Sequence, residues 1–369
     1  MQYRSYGKLA DKLSALTLSC ARLPRLDDGS PDEASWSALI GAALGSGVTC
    51  FDIGTFSRDS GLDALGRALK GVEREQVRVM CGVPAADVRR ADDLDRFLGD
   101  RLRRLDLGYI DFFVLHVPTR DSWEKMVRFG VLKRLNHAKK AGKVRELGFA
   151  VNEDPNLLRR VATGFDGWSF CRVPMNYVAG GKNAVTFEAL EPAATKGVAV
   201  FATDVIPGGF DGTVPERVTE TLPGDRTPAE WALSWALCGG EVISAVVEPA
   251  NEAQLALAAA AADRTVAEGL TPEEIGLLAE AGDIYRKTPL VDCSGCNFCV
   301  PCLVGIQIPR VYEAYNRSSL DMRGAVRLYK ELEMSPEVCL QCGACTRICP
   351  AKLDGARLMP KIAELFGGR

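Results

Sequence analysis

The sequence predicts an α/β protein. A (β/α)8 TIM barrel spans residues 1–268, and a small α-helical, ferredoxin-like domain spans 269–369. Two observations carry this. Short apolar runs alternate with helical patterns through the first 270 residues. Beyond them, eight cysteines crowd between Cys293 and Cys349 in two tightly spaced runs. A chain of 369 residues with 47% hydrophobic content has the length for two domains and the apolar side chains for a full core.

The expected strands are Ala15–Cys20, Thr49–Ile53, Val77–Cys81, Ile110–His116, Val144–Val151, Gly167–Pro174, Val198–Thr203 and Val242–Val247. They are brief and mostly apolar, as parallel strands buried on both faces are. Helical patterns follow them at Asp32–Gly45, Gly61–Lys70, Asp92–Arg104, Val131–Ala141, Asn156–Thr163, Asn183–Lys196, Pro228–Leu237 and Ala253–Ala262. Eight such repeats close into a barrel whose site lies at the C-terminal strand ends. That rule gathers Asp52, Cys81, His116, Val151, Asn176, Asp204 and Glu248 at one mouth. A further helix, Pro272–Tyr285, opens with Thr271-Pro272-Glu273-Glu274, an N-cap followed by proline and early acids. Two more helices, Ile308–Asn316 and Met322–Glu333, separate the cysteine runs.

Cys293, Cys296, Cys299 and Cys302 read C-x2-C-x2-C-x2-C. Cys339, Cys342, Cys345 and Cys349 read C-x2-C-x2-C-x3-C, followed by Pro350, which is the spacing of bacterial ferredoxins. Such runs supply three corners of one [4Fe-4S] cluster, and the fourth cysteine crosses to the other cluster. One cluster is thus expected on Cys293, Cys296, Cys299 and Cys349, the other on Cys339, Cys342, Cys345 and Cys302. Zinc sites and structural disulfides are the rival readings. The first run lacks the C-x3-C-P ending, so the crossing of Cys302 has less sequence support. The helical core here is small, so the clusters are expected to hold the domain together.

A net charge of −3 provides no basic field for nucleic acid or an anionic membrane. No apolar run nears the ~20 residues of a membrane span. Met1-Gln2-Tyr3-Arg4 does not begin a signal peptide's apolar core. With thirteen cysteines, this points to a reducing, cytoplasmic setting. Cys20, Cys50, Cys81, Cys171 and Cys238 sit singly in apolar segments and read as buried thiols.

Several segments carry a resemblance: MQYRSYGKLADKLSAL, FDIGTFSRDS, LGYIDFFVLH, AKKAGKVRELGFAV, CRVPMNY, GVAVFATDVIPGG, and CSGCNFCVPC with CLQCGACTRICP. In order and spacing the chain resembles bacterial and archaeal aldo/keto reductases with a C-terminal ferredoxin-like domain. The resemblance implies NADP(H)-dependent carbonyl reduction by four side chains. A Tyr donates a proton as hydride arrives, a Lys lowers its pKa, an Asp orients the Lys, and a His places the carbonyl.

Two of the four positions match. Asp52 stands in place, and His116 ends the fourth strand where the family His belongs. The Tyr position aligns with Ser57, or with Phe56 if the loop is one residue shorter, and neither replaces a phenol. Cys81 and Gly82 occupy the region of the Lys. The cofactor pocket departs as well: Ala150-Val151 align with the family's Ser-Asn or Ser-Ser pair, although Asn152 follows, Asp204 replaces a lysine, and Glu248-Pro249 stand in a phosphate-facing turn. A carboxylate repels phosphate, and proline removes a backbone donor. Both changes argue against ordinary NADP(H) binding. Asn176, Gly208 and Gly209 are the positions left for a flat ligand or an anion. His137 reads as a helix-surface residue. Asp52 and His116 are catalytic candidates, with relic or structural roles as alternatives.

The leading expectation is an oxidoreductase-type redox protein whose two 4Fe-4S clusters pass electrons to a partner or to a barrel-bound small molecule. An intact aldo/keto reductase homologue, or another redox protein, is the expected partner for catalysis. The alternatives are an active NADP(H)-dependent reductase with substituted catalytic groups, and a non-catalytic scaffold with structural clusters.

Overall fold

The structure is a computed structural model. It describes residues 1–20, 26, 30, 32–54, 60–152, 154–179, 185–207, 209–210, 214–318 and 322–366. By compactness the chain divides into two units. Met1–Asp211 with Pro223–Ala279 form the first, and Gly212–Leu222 with Glu280–Arg369 form the second.

The first unit opens with an antiparallel hairpin of β1 (Tyr3–Tyr6) and β2 (Leu9–Ser14). Eight parallel strands follow: β3 (Leu16–Ser19), β4 (Cys50–Asp52), β5 (Arg78–Pro84), β6 (Ile110–His116), β7 (Val144–Ala150), β8 (Phe170–Pro174), β9 (Ala199–Thr203) and β10 (Val242–Val247). They pair in chain order, and β10 returns to β3, so the barrel is closed. This is the (β/α)8 architecture that the alternation predicts.

Sequence reasoning gave the hairpin no role, yet it caps one end of the barrel. The Arg4 guanidinium donates to the carbonyls of Leu237 and Gly239, and Lys8 Nζ to those of Asp166 and Trp168. These carbonyls precede β10 and β8, so the cap covers the N-terminal strand ends. Leu9 and Leu13 pack into the interior with Cys50, Met80, Phe112, Phe170 and Phe201. The three phenylalanine rings meet edge to face, with centroids 5.2–5.4 Å apart. Gly7 sits at φ +56°, and a Cβ there would fall 2.1 Å from the Gly197 carbonyl oxygen. Gly7→Ala is therefore expected to cost about 1–3 kcal/mol, read as a fall in the urea midpoint at constant slope.

The N-terminal end is further fixed by Asp111, 1% exposed, which accepts from Arg74 and from the Val79 amide. The Tyr109 ring lies between the guanidinium groups of Arg74 and Arg145, each 4.0 Å from its centroid. A helix absent from the expected set, Arg120–Arg128, follows β6. A capping box of Thr119 and Ser122 starts it, and Gly130 at φ +72° separates it from Val131–Lys140. No helix among the described residues is long and apolar enough to cross a membrane.

The helix Pro272–Lys287 begins with the expected cap: Thr271 and Glu274 bond reciprocally through side chain and backbone amide. It runs through the division between the units. In the second unit, the helices Ile308–Ser318 and Gly355–Phe366 bury Val311, Tyr312, Tyr315, Met359, Ile362 and Phe366 against one another. Asn316 brackets the backbone of Val291, accepting from its amide at 2.8 Å and donating to its carbonyl at 2.7 Å. This clamp fixes the chain just ahead of Cys293.

Candidate functional site

Strand register sets which side chains share the barrel mouth. On neighbouring strands His116, Ala150 and Arg172 lie side by side. Ala150 belongs to the interior core, so all three face inward. Ser19, Asp52 and Met80 form a second such row, and Met80 is interior. The inner top layer therefore holds Ser19, Asp52, His116 and Arg172.

Asp52 is fully buried. Its Oδ1 accepts from the Gly54 amide at 2.8 Å, and its Oδ2 lies 2.9 Å from Nη2 of Arg172. The cation arrives from β8. His116 is 9% exposed, and its Nε2 lies 3.1 Å from Asn152 Oδ1. Burial lowers its pKa from the ordinary 6.5, the Asn152 bond opposes that shift, and nearby Arg172 adds to it. The folded chain thus resists protonating His116, whereas the unfolded chain takes up that proton near pH 6.5. Stability supplied by neutral His116 is present above pH 6.5 and falls as pH drops through the folded pKa. Urea titrations at stepped pH check this, with His116→Asn flattening the slope below pH 6.5.

The same parity corrects one expectation. Cys81 aligns with Phe113 and packs in the outer core between strands and helices, and Val151 packs there too. Neither lines the mouth. Burial pushes the Cys81 thiol up to about 12, which leaves it protonated and unreactive. The inward position in this stretch is Gly82, aligned with interior Val114, and β5 runs on to Pro84.

The remaining mouth positions are held by loop contacts. Asn176 accepts from the amides of Val178 and Ala179 and donates to the Asp204 carbonyl, tying the loop after β8 to the loop after β9. Asp204 is exposed at φ +52°, and its carboxylate accepts from Thr203. Exposed Glu248 accepts from Ser19 Oγ at 3.1 Å, across the β10–β3 seam. Gly209 turns at φ +77°. Ser57, Phe56 and Gly208 lie outside the described residues.

In the second unit the two cysteine loops share a backbone pattern. In the first, Gly295 (φ +69°) and Asn297 (φ +62°) are left-handed; in the second, Gln341 (φ +52°) and Gly343 (φ +66°) are. These are the third and fifth residues of each run. Left-handed backbone costs a non-glycine residue about 1–2 kcal/mol, so Asn297 and Gln341 are held there by their surroundings. The Gln341 amide points at Cys339 Sγ, 3.4 Å away. Cys293, Cys296, Cys299, Cys345 and Cys349 line one cavity, closed by Ile308, Tyr312 and Leu353. Cys302 and Cys339 pack against the helical core nearby. Gly355 is bare because Cys345 Sγ lies 2.4 Å from where its Cβ would be. Burial raises the thiol pKa values of Cys293 and Cys345, and that of Cys299 to about 11. Among the described residues, no three His, Cys, Asp or Glu side chains converge as a metal-ion site.

The model of the aldo/keto reductase family matches residues 22–213, just over half of the chain. This chain belongs to the aldo/keto reductase family. Among solved structures it is similar to aldo-keto reductase AKR11C1 from Bacillus halodurans in its holo form. The TM-score is 0.64 at 19% identity, covering 76% of this chain and 96% of that one. It is also similar to the thermostable aldo-keto reductase Tm1743 in complex with the inhibitor epalrestat, with a TM-score of 0.61 at 22% identity, covering 76% of this chain and 100% of that one. At these identities the likeness is one of fold. No curated protein matches the chain.

Within this aldo/keto reductase barrel, the residue that sequence reasoning missed is Arg172. Its signal was an arginine on the inward parity of the apolar strand Phe170–Pro174, two residues after a core phenylalanine. The mouth can offer a polar ligand a guanidinium and a neutral imidazole.

Proposed function

We propose that this member of the aldo/keto reductase family is an iron–sulfur redox protein whose barrel has lost the Tyr/Lys hydride machinery. Its C-terminal unit would hold two [4Fe-4S] clusters and pass single electrons to a partner or to a small molecule at the mouth. The observation that carries this is the pair of cysteine loops, eight thiols on two runs with the same left-handed turns. The donor set fits such clusters. It is all thiol, it borders an apolar cavity, and the Gly355 contact leaves room for Cys345 Sγ. A single zinc needs its ligands within about 2.3 Å of one point, whereas four-iron clusters spread their thiolates over separate irons.

Cys293, Cys296, Cys299 and Cys349 would hold one cluster; these four share a cavity that Cys345 also lines. Cys339, Cys342, Cys345 and Cys302 would hold the other. When bound, such groups supply one-electron transfer at potentials tuned by hydrogen bonds and burial. The barrel supports the same reading. Gly82 stands inward without a side chain, and Arg172 from another strand is the ion partner of Asp52. With that pair formed, Asp52 no longer orients a lysine. Arg172 and His116 remain to bind a polar group at the mouth.

Iron and sulfide analysis of anaerobically purified protein tests this. About eight irons per chain and an EPR signal on reduction are expected. Protein that binds no iron on reconstitution would refute it.

A further inference from the structure

Ser19, Asp52 and His116 of the inner top layer are buried, while the Arg172 side chain is 18% exposed. Among the described residues Arg172 makes no hydrogen bond, and its one ionic contact is the 2.9 Å approach of Nη2 to Asp52. Its Nε is buried without a partner, so the open part of the guanidinium is its Nη end. A guanidinium carries five N–H donors in a planar fork. Asp52 engages one edge of that fork and leaves the other Nη donors unused. Asp52 itself is closed to solvent, so the cation is the half of the pair that a ligand meets.

Charge selects the ligand. A carboxylate offers two oxygens to two Nη groups, and charge-assisted bonds of this kind are about twice as strong as neutral ones. A guanidinium can hold two carboxylates at once. Arg134 of this chain does so, with Nη2 2.8 Å from Asp92 and Nε 2.7 Å from Asp95. Asp204 and Glu248 are exposed carboxylates on the loops after β9 and β10. They repel a dianion more than a monoanion, which disfavours phosphate.

We propose that the barrel mouth is a binding site for small monocarboxylates, with the ligand's carboxylate on the Nη groups of Arg172 and Asp52 as the residue that positions the cation. The inference rests on the reading above that Arg172 and His116 bind a polar group at the mouth, and names its chemical class. It does not depend on the clusters.

The test is calorimetric titration of the full-length holoprotein with propionate, with its neutral isostere propionamide, and with inorganic phosphate at pH 7. Propionate is expected to bind about tenfold or more tightly than propionamide, and more tightly than phosphate. Proton NMR supplies a readout at the site. Arg172 lowers the pKa of His116, so a bound carboxylate offsets that cation and raises the His116 titration, while propionamide leaves it in place. Asp52→Asn combined with Arg172→Met keeps the site without a buried unpaired charge, and in it both the propionate affinity and the His116 response are lost. Equal affinity for propionate and propionamide, or undiminished propionate binding by the double variant, would overturn the inference. Tighter binding of phosphate than of propionate would overturn the ligand class. Iron content decides the iron–sulfur reading separately, so failure of one is distinguishable from failure of the other.

Discussion

Arg172→Ala is expected to destabilise the barrel unit by about 3–5 kcal/mol, the effect of leaving one partner of a buried ion pair without the other. Asp52 is fully buried, and Arg172 is its ion partner at 2.9 Å. Without that cation the carboxylate must ionise in a low-dielectric site or take up a proton. Urea unfolding at pH 7 reads the loss. The sharper result comes from Asp52→Asn combined with Arg172→Met. If the two side chains act as a pair, the double variant loses less than the sum of the single variants, since replacing both charges with neutral groups removes the penalty. Additive losses would show that Arg172 stabilises the barrel by some other contact. His116 offers a second readout. Proton NMR follows it, and the His116 titration rises in Arg172→Ala.

Cys349→Ala carries the second large effect, on metal content. Cys349 and Cys345 line the same cavity as Cys293, Cys296 and Cys299 although they lie in the other run. In the crossed arrangement loss of Cys349 removes one cluster, and iron falls from about eight to about four per chain. The helical unit has a small core of its own, so losing metal also lowers its unfolding temperature, as it does in other small metal-bound domains. Cys302→Ala is the matched comparison. It removes the other cluster, so the EPR signal that survives differs between the two variants. Loss of the same signal in both would mean that the runs do not cross.

How far the sequence led depended on how local each signal was. The barrel was legible because buried parallel strands read as short apolar runs and their helices as periodic stretches. The cysteine runs stand out in the sequence because their spacing is local, and the structure gives both the same left-handed turns. The hairpin Tyr3–Ser14 was not, since it works by donating Arg4 and Lys8 to loops more than 150 residues away. Arg172 was missed for the same reason: its partner stands on a strand 120 residues earlier. Cys81 was misplaced by one residue of parity, which in a strand turns a side chain from the mouth to the outer core.

Arg172 changes the meaning of Asp52. Beside the family pattern the aspartate reads as half of a broken pair. In the folded chain it is half of a complete one whose cation comes from β8. The mouth therefore keeps a buried charge pair and a neutral histidine in fixed positions. This arrangement can hold a polar group.

Anaerobic stopped-flow mixing of the holoprotein separates one-electron from hydride chemistry most directly. A one-electron donor such as reduced methyl viologen is expected to bleach the cluster absorbance, while NADPH leaves both that absorbance and its own 340 nm band unchanged, with or without a carbonyl compound. Consumption of NADPH by a carbonyl substrate, at a rate unaffected by removal of the iron, would contradict the account.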